Sequence, residues 1–232
     1  MGQKKLHILK SLFIVLIVVL IMSNHVHCNV ALVGSGNWGT AVARRIGLNL
    51  EQVDSDSLRR ECVKMWVYEE EVHGRKLSEI INEDHENVKY LPNIKLPHNV
   101  LAVPDLLESI KGAKMLLFVV PHQFLPGVLK QLKGQVPPST VCVSLIKGVE
   151  FSHGQLRRFS ELIRKELHVH HVAVMMGANV ASDIAQDHFA ETTVGCEDLA
   201  VAHRVAALFH CATLHVQVTD DVATVELLGA LK

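Results

Sequence analysis

The chain has almost no net charge. Its 232 residues hold 23 Lys and Arg against 24 Asp and Glu, a formal balance of -1, so no electrostatic field favours a nucleic acid or an anionic membrane surface. It also lacks any C-x-x-C. The five cysteines, Cys28, Cys62, Cys142, Cys196 and Cys211, are odd in number and widely spaced, a pattern that signals neither a zinc site nor a disulfide framework and reads as reduced, mostly buried thiols. Repeats and low-complexity tracts are absent, which excludes solenoid and fibrous architectures. Histidines number fifteen, yet the tightest group, His168, His170 and His171, has no carboxylate or cysteine to complete a ligand set, although alternate strand positions would put His168 and His170 on one face. No metal is expected. The length exceeds the usual single domain but falls short of two large ones, so a second domain should be absent or stunted.

Long apolar runs are scarce as well. Residues 12–22 form an uninterrupted apolar stretch of eleven, preceded by Lys4, Lys5 and Lys10 and followed by polar residues from Ser23. That is the outline of a signal peptide, and it is short of the roughly 20 residues of a membrane span even when counted from Leu6, as residues 6–22. Three readings of residues 1–28 stand side by side: a cleaved leader, a membrane contact, and an alternative start unrelated to the folded body. Cleavage after Cys28 would leave Asn29 ahead of the first strand.

From Asn29 onward, short apolar runs alternate with amphipathic ones. Strands are predicted over 30–33, 63–68, 100–103, 115–119, 140–145, 171–175, 192–194 and 214–218, and helices over 38–47, 76–83, 106–112, 124–133, 155–167, 199–209 and 222–232. Asp105, Asp198 and Asp220 stand where N-caps are wanted, and residues 84–98, with Pro92 and Pro97, read as a long surface connection. All-apolar strands alternating with helices indicate an α/β fold with a doubly wound, mostly parallel sheet covered on both faces.

Between the first strand and the first helix lies Gly34-Ser35-Gly36-Asn37-Trp38-Gly39, a G-x-G-x-x-G in the strand-loop-helix setting that gives it meaning. The first glycine permits the tight turn, the second lets backbone approach a pyrophosphate, and the third lets the helix pack on the strand. A dinucleotide cofactor is the implication. An acidic residue at the end of the second strand commonly binds the ribose diol and repels the extra phosphate of NADP. Glu69 is the candidate, although it follows Gly39 by thirty residues rather than the usual ~20, and it reads equally well as an acid opening the next helix. Tyr68 offers a flat face to adenine or a side chain to the core.

Further motifs follow in order: residues 85–92 (HENVKYLP), 119–124 (VVPHQF), 144–149 (SLIKGV), 176–181 (MGANVA), 191–196 (ETTVGC) and 225–232 (VELLGALK). Together with the glycine loop they closely resemble the NAD-dependent glycerol-3-phosphate dehydrogenases of the eukaryotic cytosolic type, from about Asn29 to the last residue. The resemblance implies a Rossmann-type NAD-binding domain over 29–218 and, at 219–232, the start of a substrate domain, with a reaction that interconverts dihydroxyacetone phosphate and sn-glycerol 3-phosphate. It places the pyrophosphate on Gly34, Ser35, Gly36, Asn37, Trp38 and Gly39, and cofactor contacts at Tyr68, where the family commonly has phenylalanine, and at Phe124 and Ala181. Lys147 is implied to bind substrate and Lys232 to serve as general acid/base. A cytoplasmic homodimer with a small-molecule substrate is the family pattern.

Two lysines suit this chemistry. Negative charge develops on the ketone oxygen, and an ammonium both stabilises it and can deliver the proton; burial or a neighbouring cation would bring its pKa toward neutrality. The family's long helical second domain, with its phosphate-gripping arginine, is not represented in these 232 residues. The chain is therefore expected to carry mainly the cofactor half, with doubtful activity of its own and an apolar surface exposed on its last helix. The alternative is a non-catalytic NAD-binding or membrane-tethered short product.

Overall fold

The computed structural model describes residues 27–53, 61–152 and 155–231. The apolar stretch 6–22 and Lys232 lie outside them. In chain order, β1 (His27–Val33) leads into α1 (Asn37–Val53), β2 (Glu61–Trp66), and a small hairpin of β3 (Glu71–Val72) and β4 (Arg75–Lys76). Next come α2 (Leu77–Asp84), β5 (Val100–Val103), α3 (Leu106–Ile110), β6 (Met115–Phe118), a 3-10 turn (His122–Phe124) and α4 (Leu125–Leu132). β7 (Val141–Ser144), a second hairpin of β8 (Glu150–Ser152) and β9 (Gln155–Arg157), α5 (Phe159–Leu167) and β10 (His171–Ala178) follow. The last elements are α6 (Ala181–Ala185), β11 (Ala190–Gly195), α7 (Leu199–Phe209), β12 (Leu214–Thr219) and α8 (Val222–Ala230).

Eight strands form one sheet in the order β12-β11-β10-β7-β6-β1-β2-β5. The six from β10 to β5 are parallel, and β11 joins β10 antiparallel, with β12 parallel to β11. The chain leaves β1 toward β2 and later returns on its other side at β6, so the order reverses between β1 and β6. This reversal is the switch point at which doubly wound sheets open a crevice at their carboxyl edge.

Period-two alternation explains the layering. Along β1, Val30 and Leu32 pack into one core cluster with Ala41 and Ile46 of α1, Ile81 of α2 and Val205 of α7. Ala31 and Val33 pack into the other, with Leu106 of α3, Leu129 of α4 and Ile163 of α5. A strand covered on both faces needs apolar residues at every position, which is why these strands stand out as continuous apolar runs.

Several expectations are corrected. The helix expected from Gln155 starts at Phe159, because Gln155–Arg157 pairs with Glu150–Ser152, with Leu156 opposite Phe151. His168 is not on a strand: it ends α5 in the left-handed region at φ 55°. The pair on one strand face is therefore not formed. The cap of α8 is Asp221 rather than Asp220, its Oδ1 accepting from the Thr224 amide at 3.0 Å; Asp105 and Asp198 cap α3 and α7 as expected. The 84–98 connection is anchored, with Asn87, Leu91 and Leu96 buried. Finally, not all the thiols are free. Parallel pairing of β1 with β2 brings Cys28 and Cys62 together as a disulfide, a neighbour relation set by strand register and invisible in their spacing. Cys142 and Cys196 are buried thiols, and Cys211 is partly buried.

Candidate functional site

The site is built where β1 stops. Gly34 sits at φ +124°, and a Cβ there would come within 3.0 Å of the Val119 carbonyl group just beyond β6. The residue therefore has to be glycine both for its conformation and for the approach of two strand ends. At Gly39 a Cβ would lie 2.3 Å from the Gly34 carbonyl oxygen, which brings α1 hard against the loop. At Gly36 a Cβ would meet nothing within 4 Å. Two glycines close the turn and the middle one leaves an open cradle, in front of helix-start N–H groups that have no acceptor within the helix. A pyrophosphate fits such a place.

The loop is held from behind by a residue that the sequence reading did not single out. Asn87, fully buried, donates through Nδ2 to the Ser35 carbonyl at 2.9 Å and to Thr40 Oγ1 at 2.8 Å, while Thr40 Oγ1 itself donates to the Ser35 carbonyl at 3.1 Å. The Tyr90 amide donates to Asn87 Oδ1, completing that side chain's bonds. Asn87 lies within the motif at residues 85–92, but that motif does not show what the side chain holds. On the opposite flank Arg44 and Arg45 of α1 both donate to Asp187, whose carboxyl is raised by burial but brought below its ordinary range by these guanidiniums. That cluster fixes α1 against the segment after α6.

The other expected cofactor residues lie at carboxyl ends of neighbouring parallel strands. Tyr68 follows β2 and is 72% exposed, Phe124 ends the turn after β6 and is 59% exposed, and half-buried Ala181 begins α6 after β10. Exposed aromatic faces on this edge are surfaces a planar ring can cover. Glu69 belongs to the helix: Ser78 donates to it through its amide at 3.1 Å and its hydroxyl at 2.6 Å, so the carboxylate opens α2. The next acid, Glu70, is held below its ordinary pKa first by the Lys89 hydrogen bond, and it also accepts from the Tyr90 hydroxyl.

Lys147 follows β7 on the same edge and is exposed. Lys232 lies outside the described residues; α8, which precedes it, is well fixed. Glu226 of α8 is fully buried and accepts from both the amide and the hydroxyl of Ser160 at the start of α5. Burial pushes its carboxyl pKa up, against the lowering by Ser160. A Cβ at Gly229 would lie 2.5 Å from Met176 Cγ, so α8 rests directly on β10. As expected, the helix leaves apolar side chains outside, with Leu228 61% and Leu231 82% exposed.

A broad open hollow of about 1020 Å³ lies at the opposite, amino end of the sheet, beside Asn29, Met115, Pro137 and Thr140. The crevice of a doubly wound sheet opens at the other edge, so the functional residues and this hollow are unrelated.

A doubly wound sheet with a glycine cradle at its switch point defines a dinucleotide-binding domain of the Rossmann type. The family model described as the N-terminus of NAD-dependent glycerol-3-phosphate dehydrogenase matches residues 29–202. This chain belongs to that family and contains its NAD-binding part. It is 47% identical over 203 residues to the cytoplasmic NAD(+) glycerol-3-phosphate dehydrogenase of Rattus norvegicus, covering 88% of this chain and 57% of the relative. The Drosophila melanogaster enzyme of that name is 48% identical over 205 residues, covering 88% of this chain and 55% of the relative. The chain thus spans somewhat over half the length of these relatives. Among solved structures, glycerol-3-phosphate dehydrogenase from Saccharomyces cerevisiae superposes with a TM-score of 0.81 at 40% identity, covering 88% of this chain and 60% of that one. A Coxiella burnetii pyrroline-5-carboxylate reductase, 18% identical at a TM-score of 0.58 over 88% of this chain and 63% of its own, shares the fold alone.

Proposed function

We propose that the chain binds NAD along the carboxyl edge of its sheet and forms the cofactor half of an oxidoreductase that interconverts dihydroxyacetone phosphate and sn-glycerol 3-phosphate. The open cradle at Gly36, bounded by two glycines with no room for a side chain, carries this reading. Amides of residues 34–39 receive the pyrophosphate, Tyr68 covers the adenine, and Phe124 and Ala181 bound the rest of the cofactor. NAD supplies the hydride acceptor or donor. Lys147 places a positive charge at the carboxyl end of β7, where it binds the substrate and stabilises charge on the substrate oxygen. Lys232 is the group assigned to move the proton at that oxygen. Residues 29–218 make up the cofactor domain, residues 219–232 open the substrate domain, and residues 1–28 form a leader; a homodimer completes the reading.

Titration with NADH should quench the emission of Trp38, in the cradle, in a saturable way. Dihydroxyacetone phosphate should then change the signal of the NADH complex, and Lys147→Ala should abolish that second response while leaving the first. A folded chain without NADH quenching overturns the cofactor assignment. A substrate response indifferent to Lys147→Ala removes Lys147 from the substrate site.

A further inference from the structure

Among the described residues, three buried side-chain polar atoms lack a hydrogen-bond partner: His85 Nδ1, Asn99 Oδ1 and Asn179 Oδ1. Asn99 precedes β5 at the amino end of the sheet, and His85 ends α2. Asn179 stands at the carboxyl edge, directly after β10 and two residues before Ala181.

The orientation of the Asn179 amide is fixed by its neighbour. The Thr192 hydroxyl donates to the Met176 carbonyl at 3.0 Å, which leaves Thr192 Oγ1 as an acceptor, and Asn179 Nδ2 donates to it at 3.2 Å. Turning the amide over would set oxygen against oxygen, so Oδ1 stays the free end. Thr192 and Asn179 are 2% and 4% exposed, whereas Ala178 and Val180 on either side of Asn179 are exposed. A locked acceptor without a donor therefore lies immediately beneath an exposed turn. Buried acceptors are normally paired, and each exception calls for an explanation.

The cofactor reading provides the donor. With adenine at the end of β2 and pyrophosphate at the end of β1, the remaining end of NAD extends past β6 and β7 toward β10, following the strand order of the sheet. The amino group at that end belongs to the nicotinamide carboxamide. We propose that Asn179 Oδ1 accepts a hydrogen bond from the carboxamide N–H of bound NAD and so sets which face of the nicotinamide ring is presented to the substrate. Thr192 acts through Asn179 as the residue that holds the acceptor in place. The inference rests on the NAD reading and concerns the ring alone.

The test uses the whole chain and three probes: NADH, ADP-ribose, which lacks the nicotinamide, and the reduced 3-acetylpyridine analogue, whose methyl ketone replaces the carboxamide and has no N–H. Unmodified protein should bind NADH about tenfold more tightly than the analogue, the equivalent of one hydrogen bond. Asn179→Ala should weaken NADH by about the same factor, leave ADP-ribose within about twofold, and erase the preference for NADH over the analogue. Unchanged ADP-ribose binding shows that the cradle has folded. If NADH and ADP-ribose weaken equally, or if the preference survives in a folded Asn179→Ala, the proposal is overturned. Should that variant not fold, equal binding of NADH and the analogue by the unmodified chain overturns it, and a tenfold preference that Thr192→Val diminishes supports it. Binding of neither NADH nor ADP-ribose by the unmodified chain removes the NAD reading, and this proposal with it.

Discussion

At Gly39 an added Cβ would collide with the Gly34 carbonyl, whereas at Gly36 it would enter open space. The same substitution should therefore fail in two different ways. Gly39→Ala forces loop and helix apart and should destabilise the fold by about 1–3 kcal/mol, as overpacking does, lowering the melting temperature measured by circular dichroism. Gly36→Ala should melt within a few degrees of the parent yet bind NADH at least about tenfold more weakly, because its methyl occupies the place of the phosphates. A Gly36→Ala variant with undiminished NADH quenching would refute the cradle. This pair was legible in the sequence, since glycine spacing after a strand encodes a backbone requirement. Asn87 was not. Its role depends on a loop folding back across 52 residues to reach the Ser35 carbonyl, and nothing local in the sequence marks that contact.

That loop is an element with its own closure. His85 and His98 meet at its neck, Nε2 to Nδ1 at 2.8 Å, with the Leu96 amide donating to the His85 carbonyl and Lys95 paired to Glu86. One shared hydrogen joins the rings, so the pair requires at least one neutral imidazole. Burial first, then the charges of His98 and Lys95, hold the His85 pKa below 6.5, against the opposing pull of Asp84. A depressed histidine pKa means that the unfolded chain binds the extra proton more readily than the folded one. The contribution is thus fully present above pH 6.5 and is lost as pH falls through the folded value. Urea melts at pH 7.5 and 5.5 should show a stability difference that shrinks in His85→Asn, a residue that tolerates the left-handed conformation found there. An undiminished difference would place the titration elsewhere. Elements of this kind escape a reading of periodicity. Central strands such as β1, β6 and β7 were recognisable because burial on both faces writes a continuous apolar run, but residues 155–157 looked helical until an antiparallel partner claimed them, and the 84–98 connection showed its prolines and hid its buried Asn87.

For the whole molecule, the disulfide and the leader bear on one question, the compartment in which the chain folds. Relatives of this family carry "cytoplasmic" in their names, and cytosolic thiols are normally kept reduced. Here Cys28 and Cys62, 34 residues apart, are joined across the first two strands, and residues 12–22 upstream have the apolar outline of a leader. No helix among the described residues is long and apolar enough to cross a membrane. A cut after Cys28 would fall inside β1 and leave the leader tethered to Cys62 through the bond, so processing that frees the leader and keeps β1 whole falls upstream of His27. Closing a loop of this length removes unfolded-state entropy equivalent to about 4 kcal/mol. Reduction should therefore lower the melting temperature by about 10 °C in a chain of this size. Chain routed through a secretory pathway, then denatured without reductant, should alkylate at three thiols, Cys142, Cys196 and Cys211, and at all five only after reduction. Burial pushes the Cys142 thiol up to about 12, so the count has to be taken on unfolded protein. Five reactive thiols before reduction, together with a melting temperature indifferent to reductant, would show that β1 and β2 pair without the bond and that the fold does not require an oxidising compartment.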